Sequence, residues 1–355
     1  MKTPGVLVGF SGGLDSAYAA QYLKDQGYHV TGLFLDVGFE SDNAGRSAAL
    51  AETMGIDFCR RDVSERFREA VVEYFLREYA GGRTPNPCVV CNRAIKFAYL
   101  LREADAGNIE FIATGHYARV DQNGDGCFSL LRGVDNDKDQ SYFLYSLDRT
   151  VLSRLLLPNG HSTKAAVRRW AEKRGLTVAS MRESQEICFV PGDDYRSFIE
   201  SSSFSDCFRP GNIVTKDGAS VGRHRGIHSV TIGQRRGLGI ASERPFYVIA
   251  IDRDTNTVVV GRDEDQYAAG VTVRELSWID PHFDPSGPFK AVTRIRYRHS
   301  GVESTLTVSP GVNGDIAEVI FLHPQKAVAP GQSAVFYDDD RVLGGGIIDR
   351  GIPCE

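Results

Sequence analysis

The chain has no long apolar run, no second Cys-x-x-Cys pair, no internal repeat and no low-complexity tract. A membrane helix needs about 18 consecutive apolar residues, and nothing here approaches that. The short run Val6–Phe10 is too brief for a signal peptide and no cleavage-like site follows it, so a cytoplasmic protein with no membrane partner is expected. A large charge of either sign is also missing: the net charge is −5. A nucleic-acid partner would therefore have to be held by local basic patches rather than by the whole field. The seven cysteines are odd in number and irregularly spaced, which excludes a stapled disulfide framework and points to reduced thiols, some of them chemical. A structural zinc site normally takes four ligands, and one Cys-x-x-Cys supplies only half of them.

At 355 residues the chain is long enough for two or three domains. The first half alternates apolar strand patterns (Val6–Val8, His29–Leu35, Ile56–Arg60, Ile109–Thr114) with helical ones (from Ala17, Ala44–Met54, and a long helix Ser64–Ala80 capped by Ser64). That alternation implies an α/β fold with a doubly wound parallel sheet, whose ligands bind beyond the carboxyl ends of the strands. A basic helix starts at Ser162-Thr163 and stops at Gly175. A boundary is expected near residue 200. Beyond it come a hairpin, Phe246–Asp252 with Thr257–Gly261, and short strands at Phe289–Tyr297, Glu303–Val308, Ile316–Phe321, Ser333–Tyr337 and Val342–Ile348. Regular short strands suggest a small β-barrel. The expected division is 1–200 for the catalytic domain, 201–268 for a small central α/β domain and 269–355 for a C-terminal β-barrel.

Residues 9–16, Gly-Phe-Ser-Gly-Gly-Leu-Asp-Ser, lie between the first strand and the first helix. A glycine-rich turn there aims backbone N–H groups and the helix dipole at an anion. Ser11 and Ser16 add hydroxyls. Asp15 would repel phosphate unless a cation stands between them. No Gly-Lys-Ser/Thr follows, so this is not a Walker loop. It resembles the pyrophosphate loop (PP-loop) of enzymes that split ATP into AMP and pyrophosphate.

Cys88 and Cys91 sit in Thr84-Pro-Asn-Pro-Cys-Val-Val-Cys-Asn-Arg. With a helix expected from Asn92 onward and Arg93 and Lys96 close by, the Cys91 thiol is expected to have a lowered pKa. Cys188 is the natural third sulfur. Three windows are basic: Lys164–Arg174, Arg223–Gly239 and Lys290–His299. In the last, strand alternation would put Arg294, Arg296 and Arg298 on one face. The glycine-rich stretch 226–239 is a candidate to order on RNA.

Six ordered motifs together resemble the tRNA-specific 2-thiouridylase family along the whole chain: Ser11–Ser16, Thr84–Phe97, Thr114-Gly-His-Tyr117, Lys138–Tyr142, Ser184-Gln-Glu-Ile-Cys-Phe189 and Thr231–Gly239. The resemblance implies that sulfur replaces the C2 oxygen of the wobble uridine in the tRNA anticodon. It implies ATP and Mg2+ as cofactors, with Gly9, Phe10, Ser11, Gly12, Gly13, Leu14, Asp15, Ser16, Leu35 and Gly115 binding nucleotide and magnesium at Asp15. Asn86, Pro87 and Cys88 would meet the target base. Cys91 would be the nucleophile and Cys188 the persulfide carrier. His116, Lys138, Asp139, Gln140, Arg296, Tyr297 and Gln332 would contact tRNA. An upstream sulfur-relay protein or cysteine desulfurase is implied, and a monomer is expected.

Many members of that family carry aspartate where this chain has Cys88. Three thiolates, Cys88, Cys91 and Cys188, can in principle hold a [4Fe–4S] cluster with one iron open, so a persulfide route and a cluster route both stay open. Two other readings remain. One is a different PP-loop adenylating ligase, which would leave the thiols and basic windows unexplained. The other is a non-catalytic, metal-stabilised RNA-binding protein, against which the intact Asp15 and loop serines argue. Pyrophosphate release stimulated by tRNA separates all three.

Overall fold

A computed structural model describes residues 3–39, 43–124, 126–180, 187–190, 192, 194–205 and 208–354. Ser184, Gln185 and Glu186 of the fifth motif, and Cys207, lie outside the described residues.

The N-terminal sheet is parallel, in the order β3 (Asp57–Asp62), β2 (His29–Asp36), β1 (Gly5–Gly9), β4 (Phe111–Ala113), β7 (Leu155–Leu156). Val6, Leu7, Val8, Leu33, Ile112 and Ala113 are all buried, as strands covered on both faces must be. Helices α1 (Leu14–Asp25) and α2 (Asn43–Met54) follow β1 and β2. The chain runs from β1 outward to β2 and β3, then returns to place β4 on the other side of β1. That reversal makes a crevice at the carboxyl ends of β1 and β4, where residues 10–13 and 114–117 emerge.

Two helices combine α and π turns. Residues 64–80 are α-helical except at Arg68–Val72, and residues 87–106 except at Asn92–Phe97. The first is not capped by Ser64. Val63 holds the cap position, and the Asp62 carboxylate accepts from the Ser64 N–H at 2.9 Å. The second starts at Pro87, a residue suited to a first helical turn, so Cys91 lies a full turn inside it. The basic helix Lys164–Lys173 is capped by Thr163, whose hydroxyl accepts from the Ala166 N–H.

The central region, expected to mix helix and strand, is built among its described residues on four strands with short 3-10 turns. The strands run in the order β10 (Tyr247–Asp252), β11 (Thr257–Gly261), β8 (Gly211–Thr215), β9 (Ser220–His224). Within residues 226–239, Ile227, Val230 and Leu238 are buried in this region's core.

The C-terminal barrel runs β12 (Tyr267–Trp278), β15 (Ile316–Lys326), β14 (Val302–Ser309), β13 (Phe289–Arg294), β16 (Ser333–Asp338), β17 (Arg341–Pro353), and the β12–β17 pairing closes it. Val273, Leu306, Val319, Phe336 and Ile348 fill its interior. One departure from the sequence pattern joins the two halves. The hairpin of β5 (Ala118–Gln122) and β6 (Phe128–Arg132), from the first half of the chain, continues the barrel sheet beside β17. Tyr142 and Tyr145 lie in one core with Val335, Tyr337 and Val342.

Candidate active site

The glycine-rich loop over residues 9–16 is drawn tight by its own side chains. Gly12 has φ +73°, and a Cβ there would fall 2.5 Å from the Ser47 hydroxyl. Ser16 Oγ donates to the Gly13 carbonyl at 3.0 Å and lies 3.3 Å from Ser11 Oγ. Gly115 serves close approach: a Cβ at that position would sit 2.6 Å from the Asp15 carbonyl carbon. The two loops flanking the crevice therefore touch.

Asp15 has company that the sequence did not announce. Lys164 Nζ donates to both carboxylate oxygens, at 2.6 and 2.8 Å, from 149 residues away. The Tyr117 hydroxyl donates to Oδ1 at 2.8 Å, and the Asn159 amide donates to the Asp15 carbonyl at 3.2 Å. The cation needed between Asp15 and a phosphate is already in the chain. Direct magnesium coordination at Asp15 does not fit this arrangement, because both oxygens are held by an ammonium.

Beside the loop opens a cavity of about 370 Å³ lined by Gly9, Ser11, Asp15, Leu35, Gly115, His116 and Gln140, and also by Cys91 and Cys188. The sequence placed these groups in separate motifs; the fold brings them to one wall. Phe10, expected at the nucleotide, lines the same space although its ring is almost wholly buried. Cys188 is positioned by its neighbour: Phe189 is buried against Phe39, Phe67, Phe75 and Phe198 at centroid distances of 5.9, 5.6, 5.3 and 5.6 Å. Cys91 is positioned by the helix over residues 87–106. Its π-helical stretch sets residues five apart on one face, and Cys91 and Lys96 both line the cavity.

The expected lowering of the Cys91 thiol is corrected. Burial pushes it up, and the nearby Lys96 ammonium only partly opposes that. Cys88 behaves alike: although water reaches its side chain, protein crowds it and pushes the thiol up, with Cys188 close enough to add to the effect and Lys96 opposing. Cys91 lies inside the helix that begins at Pro87, so the N-terminal dipole does not act on its thiol. Cys88, Cys91 and Cys188 do converge, yet among the described residues no group of three His, Cys, Asp or Glu side chains is disposed to hold a metal ion.

His116 is neutral at physiological pH. Burial holds its imidazole well below the ordinary range, with Lys96 adding to the shift. Its Nδ1 lies 2.7 Å from Thr114 Oγ1 and its ring stacks on Phe97. Gln140 Oε1 accepts from the Tyr117 N–H at 2.9 Å, tying this wall to the Asp15 cluster.

The residues expected at tRNA divide. Arg296 is exposed and Tyr297 half-buried against Phe143, with centroids 4.6 Å apart. Gln332 reaches toward the cysteine loop: its amide donates to the Thr84 and Pro85 carbonyls at 2.9 and 3.2 Å, while the Thr84 N–H donates to the Pro330 carbonyl. Pro87 is buried at the helix start, and Asn86 precedes it at the cap position. Asp139 lies inside the fold. It is only 1% exposed, and its carboxylate accepts from Arg294 Nη1 at 2.8 Å, from Ser141 Oγ at 3.1 Å and from the N–H groups of Gly133 and Ser141. Its side chain ties the barrel to the first domain through Arg294. The Arg294–Arg296–Arg298 face fails for the same reason: β13 ends at Arg294, which turns inward to Asp139.

Three family models match the chain in succession: a "tRNA methyl transferase HUP domain" over residues 4–192, a "tRNA methyl transferase PRC-barrel domain" over 202–262 and an "Aminomethyltransferase beta-barrel domain" over 268–348. Among curated proteins, the chain is 48% identical to "tRNA-specific 2-thiouridylase MnmA 2" of Syntrophus aciditrophicus, across 92% of this chain and 100% of that one. It is 42% identical to "tRNA-specific 2-thiouridylase MnmA" of Geobacter metallireducens, across 97% and 96%. The protein of the same name from Chlorobium luteolum is 43% identical, across 100% and 98%.

Proposed function

From the chain's membership of the tRNA-specific 2-thiouridylase family, we propose that it is a tRNA-uridine 2-sulfurtransferase that replaces the C2 oxygen of the wobble uridine with sulfur at the expense of ATP. The observation that carries this reading is the single cavity shared by the nucleotide loop, Cys91 and Cys188. Two of the family-model descriptions speak of methyl transfer, whereas the curated relatives speak of 2-thiolation. Thiols facing a phosphate loop match the second. No helix among the described residues is long and apolar enough to cross a membrane.

Residues 9–16, Leu35 and Gly115 hold ATP. The uridine O2 attacks the α-phosphorus and pyrophosphate leaves, so the poor carbonyl oxygen becomes part of a good leaving group, AMP. Magnesium bound with the nucleotide would add charge neutralisation there. The helix dipole at α1 and the loop N–H groups stabilise the departing charge. Asn86, Pro87 and Cys88 receive the base, which has to leave its stack to reach them. His116, Lys138, Gln140, Arg296 and Tyr297 lie along the RNA, and Gln332 holds the base-receiving loop in place.

Cys188 carries a persulfide delivered by an external sulfur donor. In one route its terminal sulfur attacks C2 and AMP leaves. The Cys91 thiolate then attacks the Cys188 sulfur, releasing the thiolated base and forming a Cys91–Cys188 disulfide. In the other, Cys91 attacks the Cys188 persulfide first, forming the same disulfide and freeing hydrosulfide to attack C2. Both routes end with an oxidised pair that an external dithiol reductant resets. The catalytic domain is read as 1–200, the central domain as 201–268 and the barrel as 269–355.

The test is a reconstituted reaction with unmodified tRNA, ATP and a persulfide donor, followed by mass spectrometry of the nucleosides. The expected outcome is 2-thiouridine with matching AMP and pyrophosphate. A methylated nucleoside, or no sulfur gain with a competent donor, overturns the reading. In Cys188→Ser, tRNA-stimulated pyrophosphate release is expected to persist while thiolated product falls at least about a hundredfold, the scale of losing a covalent-catalysis group.

A further inference from the structure

We propose that Lys164 is the resident counter-cation of the nucleotide loop: it occupies the place on Asp15 that a bare divalent ion would take, so metal enters this site only when carried by nucleotide phosphates. The inference deepens the ATP reading above and rests on it.

Lys164 stands where a lysine is electrostatically out of place. It is the first residue of the helix Lys164–Lys173, and that first turn holds no acidic side chain. A cation at a helix N-terminus opposes the dipole. Its placement makes sense only through what its side chain meets. The Lys164 side chain is 11% exposed; its ammonium bridges both Asp15 oxygens and lies 5.6 Å from the Tyr117 ring centroid. Its backbone is fixed too: the Lys164 N–H donates to Asp135 Oδ2 at 2.8 Å, and the Thr163 cap holds the helix start.

The Asp15 carboxylate has four lone-pair positions. Lys164 takes two and the Tyr117 hydroxyl a third. A divalent ion bound at about 2.1 Å would share those oxygens with an ammonium, against a repulsion twice that of two unit charges. A phosphate chain meets a different situation, because the Asp15–Lys164 pair is neutral overall and one of its members is a cation. The arrangement does for this loop what an adjacent lysine does in a Walker loop, with the lysine supplied from a distant helix.

Mn2+ titration followed by electron paramagnetic resonance tests this on the nucleotide-free full chain. Wild type and Asp15→Asn are expected to bind Mn2+ equally poorly at this site, and Lys164→Met is expected to gain about tenfold in Mn2+ affinity, a gain abolished in the Lys164→Met/Asp15→Asn double variant. Asp15-dependent Mn2+ binding by the nucleotide-free wild type overturns the proposal, as does a Lys164→Met variant with unchanged Mn2+ affinity. If Lys164→Met does not fold, the comparison of wild type with Asp15→Asn decides alone. ATP binding in EDTA is the second readout: an at least tenfold loss is expected in Lys164→Met, and unchanged affinity overturns the proposal. A wild type that binds no ATP, with or without metal, would instead sink the nucleotide reading, while the Mn2+ result would still judge the Asp15–Lys164 pairing.

Discussion

At the residue scale, histidine protonation sets an acid limit on this molecule. His116, His224, His228 and His299 are all held below the ordinary imidazole range, in each case chiefly by burial. Their folded values lie under the unfolded value of about 6.5. As pH falls through that value the unfolded chain takes up protons that the folded chain refuses, so stability is complete above it and declines below it. Thermal unfolding is expected to shift to lower temperature between about pH 7.5 and 5.5, and His116→Gln should flatten that dependence. An unchanged slope in this variant would show that His116 does not contribute. The same scale marks how far single residues can be read from sequence. The loop 9–16 and the three thiols announce themselves by local pattern. The Asp15–Lys164 pair does not, because it joins positions 149 apart and Lys164 reads as one more cation in a basic window. A lysine at the start of a helix with no acidic residue in its first turn was the available signal.

At the scale of elements, period and capping placed four of the five parallel strands, the first two helices and the basic helix close to where they lie, and missed the two-residue strand Leu155–Leu156. The errors have local causes. The cysteine helix begins at Pro87, so Cys91 loses the helix N-terminus that its reactivity had been argued from. β13 stops at Arg294 because that side chain is needed inside, where it meets Asp139 and the His299 carbonyl. The β5–β6 hairpin hides its membership because its partner strand β17 comes two hundred residues later in rough terms. Arg294→Met is expected to destabilise the fold by about 3 kcal/mol, since one buried charge is left without its main partner. Arg132, 3.5 Å from Asp139, keeps the cost from going higher. Urea unfolding with the m-value held common reads this directly; a loss under about 0.5 kcal/mol, the range of ordinary surface changes, would mean that the pair is not needed.

For the whole molecule, the first domain and the barrel are one mechanical body. Ser141 Oγ lies 3.2 Å from the Tyr337 hydroxyl, the Tyr142 hydroxyl donates to the Ser333 carbonyl at 2.8 Å, and Arg119 pairs with Asp340 at 2.7 Å. Separate folding of the parallel-sheet half is therefore not expected. Truncation after residue 268 should expose the Tyr142–Tyr145 face and lower the melting temperature by more than about 10 °C, the size of shift a loss of several kcal/mol gives. A truncated chain that melts like the full one would refute that unity. Fold class was legible because alternation of strands and helices is a long-range pattern written in short-range repeats. The junction was not, because its shared core, its added hairpin and its polar contacts all join segments far apart in the chain.

The tether from Pro330 and Gln332 to Thr84 and Pro85 gives the two ends of the cavity different foundations. The glycine-loop end stands on the parallel sheet; at the other end Cys91 and Phe189 belong to the first domain's aromatic core, while the Thr84–Pro85 turn that leads to Cys88 is tied to the barrel rim. Substitutions at the barrel rim therefore have a lever on the turn before Cys88, and can shift it without disturbing the footing of the glycine loop on the parallel sheet.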